Sequence, residues 1–217
     1  MPEKILKIRR IISGPLNTNT YILSSDGKCI IIDAGGNQTK VLDDMKMNNI
    51  EPVAIIATHG HFDHVLGVRQ IQERYDIPFF MNGRDMDLME SSGEIMEGFS
   101  MNIPFHMPEN IREMYDGMEF KIGPHRIEVI ETPGHTDGSC SLLSDGFILT
   151  GDTLFKLSVG RTDLGGNEND LVNSLKRIGK MKESTKIYPG HGDPTDLRFE
   201  ILNNSFLKNA ILKGTLY

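Results

Sequence analysis

Short apolar, β-branched runs bounded by Gly, Asn, Asp and Pro recur along the chain, and such runs are the usual signal of β-strands. Polar clusters at Ser24–Gly27 and Ser144–Gly146 predict hairpin turns between neighbouring strands. The predicted strands are Ile5–Ile12, Thr20–Ser24, Lys28–Asp33, Val53–Thr58, Arg126–Glu131, Ser139–Leu143, Gly146–Thr150 and Lys186–Tyr188.

Between these runs, four segments are predicted to form helices. In the third, Leu171, Leu175 and Ile178 fall on one face, and Asp196 is a candidate N-cap for the last. The predicted helices are Gln38–Asn48, His64–Tyr75, Asn167–Lys180 and Asp196–Lys208. Strands and helices do not alternate strictly, so the pattern favours a sheet-on-sheet core flanked by helices over a doubly wound parallel sheet. No linker divides residues 1–217, which favours a single domain.

Composition narrows the class of function. The chain has 217 residues, 38% of them hydrophobic, and a net charge of −7, which argues against a nucleic-acid partner. No apolar run is long enough for a membrane span, and the N-terminus lacks a signal-peptide pattern. Cys29 and Cys140 both lie in strand-like runs, so we expect buried thiols and a cytoplasmic protein. Oligomeric state is left open.

The segment Met81–Met118 contains eight of the twelve methionines and has no clear period. Because Met adapts to irregular apolar shapes, the segment could be a mobile lid that faces the substrate. An irregular helical insertion that uses Met to fill the core is the favoured interpretation.

Candidate metal ligands follow the predicted strand Val53–Thr58. His59 and His61 are two residues apart, so their side chains point the same way in an extended chain and can reach one ion. Asp63 and His64 come next, where the chain turns into a helix, and can diverge towards a second ion. Three imidazoles and a carboxylate within six residues are costly to crowd together without a cation.

Three later strands repeat this pattern of a short apolar run, a glycine and a side chain able to bind metal. They deliver His135, Asp152 and His191. Asp33 also follows a strand, and it is either a carboxylate that orients an imidazole or a turn-forming residue. The other two histidines, His106 and His125, lack this context and are expected to be ordinary histidines.

Four separate segments are unlikely to supply ligands independently by chance, so the constellation predicts a metal site. Nitrogen and oxygen ligands without thiolate are compatible with Zn, Fe or Mn. Seven ligands exceed the four that a tetrahedral Zn takes, which favours two divalent ions with one bridging carboxylate.

The stretch His59-Gly60-His61-Phe62-Asp63-His64 resembles the H-x-H-x-D-H motif of the metallo-β-lactamase superfamily, and His135, Asp152 and His191 follow in the expected order. The resemblance covers essentially the whole chain. It implies an α/β (α+β) fold, an αββα sandwich of two mixed sheets flanked by helices, and a metal-bridging hydroxide as nucleophile. It implies a first metal on His59, His61 and His135, a second on Asp63, His64 and His191, and Asp152 bridging both.

Within the superfamily, several stretches resemble the compact glyoxalase II-like hydrolases. Among them are Gly134–Ser139, Ser158–Leu164 and Tyr188–Gly192. Too few residues follow His191 for the C-terminal helical domain with which full-length glyoxalase II binds glutathione. The resemblance therefore implies hydrolysis of a 2-hydroxyacyl thioester such as S-lactoylglutathione, with the natural thiol open.

Alternatives remain open at this point. Persulfide dioxygenases, which use one Fe(II), share a Gly-Arg-Thr-Asp stretch with this chain, and lactone or phosphodiester hydrolysis also fits two metals. Asp63 could orient or deprotonate the attacking water. Arg161 and Asp163 are candidate substrate-binding residues, since a guanidinium can bind a substrate carboxylate. A structural contact of Arg161 with Asp163 or Asp152 is slightly favoured.

Overall fold

A computed structural model of the chain describes residues 5–217, so the first four residues of the predicted 1–217 domain lie outside the described part. The β-strands are β1 Lys7–Ser13, β2 Thr18–Ser25, β3 Lys28–Ile32, β4 Glu51–Ile56, β5 Phe79–Met81, β6 Ile111–Glu113, β7 Glu119–Ile122, β8 His125–Glu131, β9 Cys140–Ser144, β10 Phe147–Gly151, β11 Leu154–Phe155, β12 Ser158–Val159, β13 Lys186–Pro189 and β14 Thr195–Asp196. The α-helices are α1 Thr39–Met47, α2 Phe62–Val65, α3 Val68–Gln72, α4 Met86–Glu90, α5 Ser92–Gly98, α6 Glu168–Gly179, α7 Leu197–Asn203 and α8 Ser205–Lys213. A 3₁₀ turn spans Gly83–Asp85.

The chain divides into two compact units. The first contains the chain up to Met114 together with Phe120–Arg126, and the second contains Tyr115–Glu119 and Ile127–Tyr217. This division does not test whether the units fold independently, so the single domain stays a prediction.

The first unit is built on a mixed sheet in the order β1-β2-β3-β4-β5-β6. Strands β1 to β3 pair antiparallel, and β3 to β6 pair parallel. Apolar side chains of α1, α2 and α3 pack on this sheet and are fully buried; among them are Val41, Met45, Val65, Val68 and Ile71. Because β3, β4, β5 and β6 run parallel, their carboxyl ends meet at one edge.

The second sheet is also mixed and six-stranded, and its strands in the second unit follow the order β14-β13-β10-β9-β8. Strand β10 pairs parallel with β13 and antiparallel with β9, which pairs antiparallel with β8. Strands β8, β10 and β13 therefore end at the same edge. Helices α6 and α8 cover this sheet with buried apolar side chains, including Leu171, Leu175, Ile178 and Leu207.

The predicted fold class is confirmed, since both sheets are mixed and helices pack on them. Both predicted hairpin turns are present, and Asp26 and Gly27 adopt positive φ in the first. Cys29 and Cys140 are buried free thiols, as predicted. Within residues 5–217, no helix combines the length and apolar character that a membrane crossing requires.

The predicted helix His64–Tyr75 is wrong in its continuity, because α2 and α3 are separated at Gly67. The Gly67 N–H donates to the Ala34 carbonyl, and a Cβ at Gly67 would overlap the Gly36 carbonyl oxygen. A close approach to a distant loop thus interrupts the helix. The last predicted helix is likewise two helices, because Asn204 ends α7 and caps α8 with its side chain.

The segment Met81–Met118 contains the end of β5, the 3₁₀ turn, α4, α5 and β6, and residues 101–108 form no regular structure. Its fully buried methionines are Met81, Met89, Met96 and Met114. These four fill the core, as the favoured interpretation predicts.

Candidate metal centre

In the first unit, a tight loop after β4 presents the predicted ligands His59 and His61, and α2 presents Asp63 and His64. Ligand atoms of His59 and His61 lie within 4.8 Å of each other, as do those of His59 and His64 and those of Asp63 and His64. His59, Asp63 and His64 are buried, whereas His61 is half-buried. The unit therefore concentrates four metal-competent side chains in one small space.

Asp33, at the carboxyl end of β3, supports two of these imidazoles. Its Oδ2 lies 3.1 Å from His64 Nδ1 and accepts a 2.9 Å hydrogen bond from the Thr58 hydroxyl, whose Oγ1 lies 3.1 Å from His59 Nδ1. Its Oδ1 accepts the Thr58 N–H at 2.7 Å. Carboxylates in such positions fix the orientation of metal-binding imidazoles. Asp33 also has φ +56°, so it both turns the chain and orients His64.

Two further contacts, which the sequence did not reveal, hold this loop. Thr18 of β2 donates its hydroxyl to Asp63 Oδ2 at 2.9 Å. Buried Asp85 accepts the Gly60 N–H at 2.9 Å, and a Cβ on Gly60 would lie 2.6 Å from the Asp85 carbonyl oxygen. Glycine is therefore required between His59 and His61 because another chain segment passes too close for a side chain.

In the second unit, three strand ends present His135, Asp152 and His191. The Oδ2 atom of Asp152 lies 3.6 Å from His135 Nε2 and 3.5 Å from His191 Nε2. The Gly190 N–H donates to the Gly151 carbonyl at 2.8 Å and ties the turns after β13 and β10 together. One carboxylate oxygen thus faces two imidazoles.

The orientation of His135 is set by the loop after β12. Its Nδ1 lies 2.7 Å from the Arg161 carbonyl oxygen, which can only accept, so Nδ1 carries the proton. In the neutral imidazole, Nε2 then carries a lone pair and faces the Asp152 carboxylate. Two acceptors at 3.6 Å repel each other unless a proton or a metal cation lies between them.

The Arg161 guanidinium makes a different contact. It forms two 2.6 Å hydrogen bonds to the Asp163 carboxylate, and both side chains are largely exposed. The hydrogen bond from Arg161 lowers the pKa of Asp163 to about 2. This is one of the structural contacts considered above, and the substrate-binding role of the pair stays a prediction.

A sequence model of the metallo-beta-lactamase superfamily matches residues 13–191, a span that contains every predicted ligand. The chain belongs to the metallo-beta-lactamase superfamily.

Relatives in the superfamily match almost the full chain. A probable metallo-hydrolase of Bacillus subtilis (strain 168) is 34% identical over 211 residues, covering 95% of this chain and 100% of that protein. The crystal structure of BLEG-1 B3 metallo-beta-lactamase has a TM-score of 0.84 at 30% identity, covering 93% of this chain and 99% of that one. The crystal structure of TTHA1623 in a di-iron-bound form has a TM-score of 0.84 at 32% identity, covering 91% of this chain and 99% of that one.

Metallo-beta-lactamase superfamily members depend on metals, and the residues of this chain fit metal ions. The donors are imidazole nitrogens and carboxylate oxygens, which suit Zn, Fe or Mn. The repulsion between His135 Nε2 and Asp152 Oδ2 is what a bound cation would relieve. Asp33 and the Arg161 carbonyl supply the outer contacts that metal-binding imidazoles need.

Among residues 5–217, the groups able to hold a metal include neither of the two histidines expected to be ordinary. His106 is exposed in the irregular stretch 101–108, and His125 begins β8. Asp85, Thr18 and the Arg161 carbonyl are the supporting groups that sequence reasoning missed. Thr18 and Asp85 contact residues that are distant in the sequence, so no local sequence pattern indicates these contacts. The Arg161 contact uses a backbone carbonyl, which every residue type has.

Proposed function

We propose that this chain is a two-metal hydrolase. The ligands proposed are His59, His61, Asp63, His64, His135, Asp152 and His191. Zn is the first choice of metal, and Fe or Mn are alternatives. The observation that carries the proposal is the Asp152 Oδ2 atom, which faces two imidazole nitrogens at similar distances as a bridging carboxylate would.

When bound, two divalent ions lower the pKa of water towards ~7 and stabilise developing negative charge on a carbonyl oxygen. The protein's own residues orient the reacting groups. Thr18 fixes Asp63 through its Oδ2, so Asp63 is held in place to orient the attacking water or to accept its proton. Asp33 and the Arg161 carbonyl keep His64 and His135 in the orientation required of ligands.

The substrate proposed is a thioester, and within that class a 2-hydroxyacyl thioester similar to S-lactoylglutathione. The stretches that resemble glyoxalase II-like hydrolases support it. A thiol has a pKa of ~8.5 and leaves as a thiolate without a dedicated general acid, so this site need not supply one. The Bacillus subtilis relative is described only as a probable metallo-hydrolase, so specificity is the part of the proposal that needs testing. A small-molecule substrate, no nucleic acid and a cytoplasmic location belong to the same proposal.

The rival chemistries are persulfide oxidation at a single iron and hydrolysis of a lactone or phosphodiester. The di-iron-bound form of TTHA1623, a close structural relative, favours two metals over one and keeps iron among the candidates. Persulfide oxidation predicts one iron per chain and oxygen uptake, whereas the proposed reaction needs no oxygen.

The test is metal content combined with hydrolysis of a thioester. Purified protein should contain two metal ions per chain and hydrolyse S-lactoylglutathione, and His61→Ala should lose both metal and at least ~100-fold of the activity. His106→Ala is the matched control, since His106 is exposed and lies outside the ligand set, and it should behave as wild type. One iron per chain with persulfide-dependent oxygen uptake would replace the thioesterase by the dioxygenase.

A further inference from the structure

Asp85, the last residue of the 3₁₀ turn, stands at the N-cap position of α4 without capping it. An aspartate at this position ordinarily accepts a hydrogen bond from the first turn of its own helix, yet the Asp85 side chain makes no such bond. Its Oδ2 instead accepts the Gly60 N–H at 2.9 Å, from a residue 25 positions earlier in the chain. The carboxylate is thus committed to the loop that carries His59 and His61.

The burial of Asp85 supports the same interpretation. The residue is 2% exposed, and burying a carboxylate is costly unless polar groups compensate it. Capping a helix does not require this burial, because a capping side chain needs only the N–H groups of its own first turn. The position of the carboxylate therefore indicates a role at Gly60 rather than at the start of α4.

Both sides of the turn are anchored in the core of the first unit. Met81 precedes the turn and Met89 follows it in α4, and both belong to the buried cluster that also contains Val65 of α2. Helix α2 carries Asp63, one of the metal-competent residues. A side chain that holds a ligand loop in position needs such a rigid mount. The core methionines around the turn provide one for Asp85.

Asp85 and Thr18 support different ligands within the first unit. Thr18 donates its hydroxyl to Asp63 Oδ2 at 2.9 Å, whereas Asp85 holds the peptide group between His59 and His61. Contacts that fix the orientation of metal ligands commonly set metal affinity. Removing the two supports should therefore weaken the binding of different ions.

We propose that Asp85 is a positioning residue that sets the affinity of the ion held by His59 and His61, because it fixes the backbone between them before the metal binds. The inference rests on the proposed two-metal function and adds a residue outside its ligand set. It also gives the segment Met81–Met118 a role, which is to carry this support.

Metal affinity is the direct test, because it does not depend on turnover. Metal-free protein is titrated with Zn²⁺ in a calorimeter in the presence of a competing chelator. Asp85→Ala should weaken one ion about 10–100-fold and leave the other within about threefold of wild type. Asp85→Asn keeps an acceptor oxygen for the Gly60 N–H and should bind both ions nearly as wild type does. Unchanged affinities in Asp85→Ala, or equal losses in the two variants, would overturn the proposal.

Thr18→Val tests whether the two supports serve different ions, since it removes the hydroxyl at nearly constant size. Thr18→Val should weaken one ion, and the double variant with Asp85→Ala should weaken both, each by the factor found in its single variant. If the double variant weakens one ion by the product of the two factors and leaves the other unchanged, Asp85 does not act selectively on the ion of His59 and His61.

Met89→Ala is the control for a merely structural role. Met89 is fully buried in α4, so its truncation destabilises the same segment by leaving a cavity. The Asp85 carboxylate is kept in this variant. Met89→Ala should lower the free energy of unfolding of the metal-free protein and leave both Zn²⁺ affinities as in wild type. If it weakens Zn²⁺ binding as Asp85→Ala does, Asp85 acts only through stability.

Hydrogen exchange of the Gly60 amide in metal-free wild type needs no variant, so it remains decisive if Asp85→Ala does not fold. The proposal expects this amide to exchange at least ~100-fold more slowly than an unstructured amide before any metal is added. Fast exchange would mean that Asp85 does not hold the loop in advance.

The titration also separates this proposal from the proposed function. If wild type binds two ions and Asp85→Ala binds both unchanged, the two-metal centre stands and the role of Asp85 is overturned. If wild type binds one ion whose affinity falls in Asp85→Ala, the positioning role stands and the two-metal hydrolase fails. If wild type binds none, both fail.

Discussion

Glu200 of α7 joins three segments of the second unit through one buried carboxylate. The residue has no exposed surface. Its Oε2 accepts the Leu157 N–H at 2.8 Å and the Asn204 side-chain amide at 2.9 Å, and its Oε1 accepts the Thr195 hydroxyl at 2.7 Å. The carboxylate thus fixes the β11–β12 hairpin, β14 and the junction of α7 with α8.

Glu200→Ala removes both acceptor oxygens and with them three hydrogen bonds, from the Leu157 N–H, the Thr195 hydroxyl and the Asn204 side-chain amide. Losing three hydrogen bonds to a charged acceptor costs about 3–5 kcal/mol. In a chain of this size, 1 kcal/mol corresponds to roughly 2–4 °C, so Tm should fall by about 6–20 °C.

Glu200→Gln is the informative partner of this variant. An amide oxygen in the Oε2 position still accepts from Leu157 and Asn204, and the Thr195 hydroxyl can rotate to accept from the amide nitrogen. The hydrogen bonds remain but are no longer made to a charged group, so we expect the free energy of unfolding to fall by about 1 kcal/mol.

Urea unfolding of wild type and both variants, with a thermal scan of each, measures the free energies and Tm values. The two variants should differ by at least about 2 kcal/mol with unchanged m-values. An equal loss of unfolding free energy in the two variants would refute this explanation, and so would a loss below about 1 kcal/mol in Glu200→Ala. Either result would mean that the acceptor positions of Glu200 do not hold these segments together.

Three further changes test the support of the metal site. Asp33→Asn keeps the size of the side chain but removes the acceptor facing His64 Nδ1. Metal affinity, measured by chelator competition, should therefore fall about 10–100-fold while the protein stays folded. An unchanged affinity would contradict the orienting role of Asp33. Gly60→Ala should lower the free energy of unfolding, measured in urea, by about 1–3 kcal/mol, because the added Cβ would lie 2.6 Å from the Asp85 carbonyl oxygen. An unchanged free energy of unfolding would show that the loop can move aside. Because the pKa of Asp163 is lowered in the folded protein, its pairing with Arg161 contributes to folding stability at pH values above 3.8, the ordinary pKa of aspartate. This contribution is lost as the pH falls through about 2. Arg161→Gln should therefore raise the Asp163 pKa towards 3.8 in an NMR titration, and no change would mean that another group holds it down.

The elements that could be predicted from the sequence are those with a local pattern of apolar and polar residues. Strands β2, β3, β4, β8, β9, β10 and β13 were found because each is an apolar run that ends in turn residues. The metal-competent residues were found because each follows such a strand, and imidazoles clustered at strand ends have few structural uses. Both signals are short-range, so one sequence is enough to read them.

The parts that were missed depend on long-range contacts. Strands β5 and β6 have three residues each and are defined by pairing with neighbours rather than by a pattern of their own. The apolar period continues through Val65, Val68 and Ile71, so it predicts one helix, and only the approach of the Ala34–Gly36 backbone explains the break at Gly67. Asp85 and Glu200 look like surface carboxylates in the sequence because their buried partners are distant.

Arg161 shows why a motif can identify a site without identifying its reaction. The side chain suggested a substrate carboxylate, yet the contact with the site runs through the Arg161 carbonyl, which accepts from His135 Nδ1. An enzyme that needs His135 in this tautomer needs a hydrogen-bond acceptor at Nδ1, whether its reaction is hydrolysis or oxidation. The shared Gly-Arg-Thr-Asp stretch therefore does not decide between the two reactions. Discrimination between the reactions has to come from the number of metals bound and from residues that face the substrate.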